Sequence, residues 1–253
     1  MAKGRFKNKY KIIIGAIVSI GCLIGIIYSV FKILNWKENV EDNQNIKEQI
    51  EDNNIIATDE DEEDASYDID FNSLKEQNTD TIAYLKVNGT CIDYIVVKGY
   101  NNSYYLNHNF NKEYNIAGWI FADYHNTFDN TDRNIIIYGH NMEDGSMFGT
   151  LQSILYKDWY GNTDNHKVIL VTEQGQYEYK VFSTYSIEAE DYYINTQFYN
   201  NDEFNKFVNI LKSRSIYDYG TEVSGEDKIL TLSSCIGDGT MRVVLHAKLI
   251  ESE

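Results

Sequence analysis

Residues 12–31 carry no charge and follow directly on Lys3, Arg5, Lys7, Lys9 and Lys11, a start without a single acid. A run of this length without a charge is the pattern of a membrane-crossing helix. As a helix rising about 1.5 Å per residue, twenty residues span roughly 30 Å, the thickness of a bilayer core. A cleaved signal peptide would have a shorter apolar region, roughly 7–15 residues, ending at small residues. Here Lys32, Trp36 and Lys37 follow instead. The expectation is therefore an uncleaved anchor over residues 12–34, in contact with membrane lipid. The basic residues 1–11 lie in the cytoplasm by the positive-inside rule, and everything after the anchor lies outside the cell.

The next stretch is acidic. Residues 38–64 hold twelve carboxylates against Lys47 alone, ending in Asp59-Glu60-Asp61-Glu62-Glu63-Asp64. A segment this charged and this poor in apolar residues repels itself, so residues 35–66 are expected to form an extended extracellular linker. The whole chain has 22 Lys and Arg against 39 Asp and Glu, a formal charge of -17. That balance excludes nucleic acid as a partner, which needs clustered cations.

From residue 67 to 253 the pattern is that of a globular domain. Phe71 and Leu74 suggest a short helix. Eight β-type runs follow, over 82–87, 90–97, 118–122, 133–138, 167–172, 176–187, 228–233 and 242–250. Asn88-Gly89 is a tight-turn pair between the first two. Helical spacing marks 146–160, through Met147, Leu151, Ile154 and Leu155, and 202–213, through Phe204, Phe207, Val208 and Leu211. Eight strands with few helices in one domain point to a mainly β fold, a closed barrel or a sandwich.

The chain has 3 cysteines, Cys22, Cys91 and Cys235, too few and too scattered for a disulfide framework or a metal knuckle. Cys22 lies in the anchor. Cys91 reads as a mid-strand packing residue. Cys235 ends the alternating run 228–234 and opens into Gly237-Asp238-Gly239. That context suits a buried strand-end cysteine and a held, accessible nucleophile equally well. A thiol nucleophile needs a proton acceptor, and acyl transfer needs positive charge or N–H donors where the oxyanion develops. His140, also at a strand end before a polar loop, supplies the first. Arg242, seven residues after Cys235, returns to the same end of the sheet if the loop is a hairpin, and supplies the second. His108, His125 and His166 read as surface residues and His246 as a satisfied strand histidine. Asp238 is a candidate for orienting a catalytic group.

These residues fall in a known pattern. Thr231-Leu232-Ser233-Ser234-Cys235, with Arg242-Val243-Val244-Leu245 after it, resembles the active-site signature of the sortases of Gram-positive bacteria. Tyr138-Gly139-His140-Asn141-Met142 resembles their histidine segment. The helix over 202–213, with Thr79-Asp80-Thr81 and Gly118-Trp119-Ile120, resembles class B members. Ser234 stands where relatives usually have threonine, which keeps the hydroxyl and loses a methyl. The resemblance covers residues 67–250 and implies a closed eight-stranded sortase-type β-barrel. A short helix would precede the barrel, and another would lie between its sixth and seventh strands. It implies a cysteine transpeptidase, with no metal or cofactor. Cys235 would attack a Thr–Gly-type carbonyl in the C-terminal sorting signal of a secreted protein. Arg242 would stabilise the oxyanion and His140 would protonate the departing amine. Ser233 and Ser234 would contact substrate. The acyl group would pass to an amino group of peptidoglycan or its precursor. A peptidase that passes the acyl group to water, and a pilus-assembly transpeptidase, are the alternatives.

Overall fold

The computed structural model describes residues 2–52, 56–58, 66–236 and 239–252. Two compact units divide at Asp42 and Asn43. A helix, α1, runs over Ala2–Asp52. In the first unit it carries Ile13, Ile17, Ile20, Ile24 and Ile27 exposed. The apolar part is long enough and hydrophobic enough to cross a membrane.

In the second unit residues 43–52 are helical, where an extended linker was expected. Net charge was the wrong guide, because spacing decides. Asn43, Ile46 and Ile50 recur at i, i+3 and i+7 and form one buried stripe, and Glu48 is exposed. Asn43 donates to the Gly118 carbonyl at 2.9 Å, and the Lys47 ammonium sits 4.7 Å from the Tyr94 ring centre. The acidic run 59–64 lies outside the described residues. Helix α2, Phe71–Gln77, is capped by the Asp70 carboxylate, which accepts from the Ser73 amide at 3.0 Å.

Eight strands then close a barrel: β1 Thr81–Val87, β2 Asp93–Val97, β3 Phe121–Ala122, β4 Asn134–Gly139, β5 Lys167–Thr172, β6 Gly175–Glu188, β7 Ile229–Ile236 and β8 Met241–Ser252. Around the barrel the order is β8-β6-β5-β1-β2-β3-β4-β7, closing back on β8. Pairing is antiparallel except at β2–β3 and β4–β7. A parallel pair cannot be joined by a hairpin; between β4 and β7 the chain builds β5, β6 and helix α3, Asn201–Ser213. Helix α3 thus falls between the sixth and seventh strands, as the resemblance implied.

Inward positions such as Leu85, Val96, Ile137, Leu170, Leu232 and Val243 fill the interior. On the outer face Phe204, Phe207, Val208 and Leu211 of α3 pack against Phe182, Tyr185 and Val244. The expected helix over 146–160 is instead a 3-10 segment, Gly149–Leu155, and one α turn, Lys157–Tyr160. Met147 has φ of 51°, outside the right-handed helix, and Tyr156 is extended.

Candidate active site

Strand register brings the three candidate residues to one rim. In the antiparallel β7–β8 pair, Arg242 lies opposite Cys235. In the parallel β4–β7 pair, Gly139 lies opposite Ser234, so His140 leaves its strand beside Cys235. The Ser234 hydroxyl locks this junction, donating to the Gly139 carbonyl at 2.8 Å while buried. Leu230 and Leu232 point into the barrel, so Thr231, Ser233 and Cys235 point outward.

There Cys235, His140 and Arg242 line one cleft together with Asn102, Leu106, Tyr138, Glu190, Tyr193 and Ile194. Its free volume of about 350 Å³ is within the roughly 300–1,000 Å³ of ligand clefts. Cys235 is half-buried. The His140 Nε2–H donates to the Leu106 carbonyl at 2.7 Å, which leaves Nδ1 free to exchange a proton. The Arg242 Nη1 donates to the Gly239 and Met241 carbonyls at 2.6 and 3.0 Å, so the guanidinium is held by its own hairpin. The Tyr193 hydroxyl shares a 2.9 Å hydrogen bond with Ser233 Oγ. Burial raises the Tyr193 pKa, partly offset by the Ser233 hydrogen bond and the nearby Arg242.

The Ser233 and Ser234 hydroxyls are thus already engaged within the protein, although both residues line the cleft. Asp238 lies outside the described residues. Cys91 is not a mid-strand core residue. It is exposed, because the turn after Asn88-Gly89 extends to it and β2 begins only at Asp93; its amide donates to Thr150 Oγ1 at 3.0 Å.

His166 is not on the surface. It is buried against Trp159 and Tyr219, bonded to the Tyr160 carbonyl at 2.9 Å, and burial lowers its pKa. His108 stacks on Tyr104 at the surface. His246 is the satisfied strand histidine expected, fully buried between the Tyr185 hydroxyl and Thr231 Oγ1, each at 2.8 Å.

Asn102, Leu106, Tyr138, Glu190 and Tyr193 were not singled out from sequence. Tyr138 had a signal, since it stands two residues before His140, near the end of β4. Asn102 and Glu190 lie in loops, and Leu106 and Tyr193 in 3-10 turns too short to show a period. Among the described residues no group of three or more His, Cys, Asp or Glu side chains converges as a metal cage would.

A thiol, an imidazole and a guanidinium at the rim of a closed β-barrel is the arrangement of a cysteine-dependent acyl-transfer enzyme. The comparisons carry the assignment further. A sortase-domain family model matches residues 85–250. Sortase B of Listeria monocytogenes serovar 1/2a is 37% identical over 186 residues, 72% of this chain and 74% of that protein. The structure of a Staphylococcus aureus sortase B–substrate complex superposes with a TM-score of 0.67 at 34% identity, covering 72% of this chain and 84% of that one. A sortase B structure with bound triglycine gives 0.67 at 34%, covering 72% and 85%. The chain belongs to the sortase family, class B. It is a cysteine transpeptidase acting on peptide bonds, and its substrates are proteins that bear a sorting signal.

Proposed function

We propose that this transpeptidase is held in the cell membrane by residues 12–34, with its N-terminus in the cytoplasm and residues 67–253 as the extracellular catalytic domain. It joins secreted proteins to peptidoglycan. The Cys235 thiolate attacks the scissile carbonyl of a C-terminal sorting signal. Arg242 and backbone N–H groups stabilise the oxyanion that forms. As the C–N bond breaks, His140 gives its proton to the departing amine, and the acyl group remains on sulfur as a thioester. An amino group of a cell-wall peptide then attacks, His140 takes its proton, and the thiolate leaves. Ser233 and Ser234 border the path of the signal peptide, and Asp238 is the candidate for orienting this machinery.

The observation that carries this reading is the register that sets Cys235 opposite Arg242 and next to His140. The substrate and triglycine complexes of related sortase B proteins support a peptide donor and an amine acceptor.

The test incubates the enzyme with a sorting-signal peptide library, with and without an amine such as triglycine. Ligated product in the presence of amine is expected. Hydrolysis products alone would make it a peptidase.

A further inference from the structure

Asp123 follows directly on β3 and is 3% exposed, yet it carries a carboxylate. Burying such a group is costly unless its lone pairs are filled. Here they are. Oδ1 accepts from the His125 amide at 2.9 Å and from His125 Nδ1 at 2.7 Å. Oδ2 accepts from the Asn102 amide nitrogen at 2.7 Å and from the Tyr138 hydroxyl at 2.9 Å. The backbone of Asp123 is fixed too, its amide donating to the Ile136 carbonyl at 2.9 Å. His125, read from sequence as a surface residue, is the outer half of this cluster.

The two groups on Oδ2 come from different elements, and both face the cleft. Tyr138 is on β4. Asn102 is on the loop that precedes the 3-10 turn Tyr104–Leu106. Asn102 Oδ1 in turn accepts from the Tyr124 amide at 3.0 Å, which fixes which way its amide points. The same loop delivers Leu106, whose carbonyl holds His140. One buried carboxylate therefore ties together a strand and a loop that both border the cleft. Burial and the adjacent Asp123 charge push the Tyr138 pKa well above the usual phenol value, so its hydroxyl remains a donor.

We propose that Asp123 is a positioning residue for this transpeptidase: its carboxylate sets Tyr138 and Asn102 in the geometry that receives the sorting signal. The proposal rests on the reading of the cleft as the peptide site. Asp123 touches neither the sulfur nor the scissile bond. Its loss acts on peptide binding before it acts on chemistry.

The test measures peptide binding in the Cys235→Ala protein, by calorimetry, with the tightest binder of a sorting-signal peptide library. Turnover is followed separately in the Cys235 enzyme. Asp123→Asn keeps the shape but turns an amide toward donors. A charge-assisted hydrogen bond lost in this way is expected to weaken peptide binding about tenfold. KM should rise with it, while kcat changes far less and the alkylation rate of Cys235 is unchanged. Tyr138→Phe removes one partner alone, and the double variant should be no worse than the poorer single one. Unchanged binding in Asp123→Asn, or additive losses in the double variant, would overturn the proposal. So would a Cys235→Ala protein that binds no peptide. Binding without turnover would strike only the transpeptidase reading.

Discussion

At the scale of single residues, Arg242 and His246 stand on the same outer face of β8 and have opposite tasks. Arg242 lines the cleft at the rim. Removal of one oxyanion donor typically costs about 10²–10³ in turnover, so Arg242→Ala should lower kcat/KM by that factor while Cys235 still reacts with iodoacetamide. Arg242→Lys should recover little, because an ammonium cannot reproduce the planar fork. Steady-state kinetics on one peptide checks both. His246 is kept neutral; burial lowers its pKa to about 3. Thr231 Oγ1 gives its own proton to Asn134, so His246 Nδ1–H donates to Thr231 and Nε2 accepts from Tyr185. A depressed histidine pKa means the unfolded chain takes up the proton first. Stability then falls with pH from about 6.5 toward 3, by up to ~1.4 kcal/mol per pH unit. Thermal unfolding from pH 7 to 4 should therefore show a steeper loss for the wild type than for His246→Gln. Equal slopes would count against a neutral His246.

At the scale of elements, the strands were the legible part, since alternation of side chains reports burial on one face directly. The runs 167–172 and 202–213 fall within a residue of β5 and α3. Local context placed Cys235, His140 and Arg242 at strand ends, but which strands adjoin depends on barrel closure, and the parallel β4–β7 pair joins residues 95 positions apart. No local pattern carries that. The cleft lining was illegible for the same reason: Asn102, Leu106 and Tyr193 stand in a loop and two short 3-10 turns held by long-range hydrogen bonds. Residues 43–52 were misread because twelve acids masked a short apolar stripe. Ile50 is 3% exposed; truncating it to alanine should cost about 2 kcal/mol, read as a lowered urea midpoint. A chain starting at Ser66 should likewise melt lower but still cleave peptide. No change in either midpoint would return this stretch to the role of a passive tether.

At the scale of the whole molecule, three segments divide the labour: an apolar helix, an acidic stretch and a barrel with the Cys235 cleft at its rim. The proposed topology makes residues 1–11 inaccessible and the barrel accessible to protease added outside intact cells. Digestion that leaves the barrel untouched until the membrane is broken would reverse the orientation. All of this depends on a thioester forming at one sulfur. Intact-mass and peptide-mapping mass spectrometry of the enzyme, quenched in acid during turnover of a sorting-signal peptide, reads that bond directly. The expected result is an acyl adduct on the peptide containing Cys235, absent in Cys235→Ala and discharged by added amine. An adduct confined to Cys91, or none while product accumulates, would contradict it.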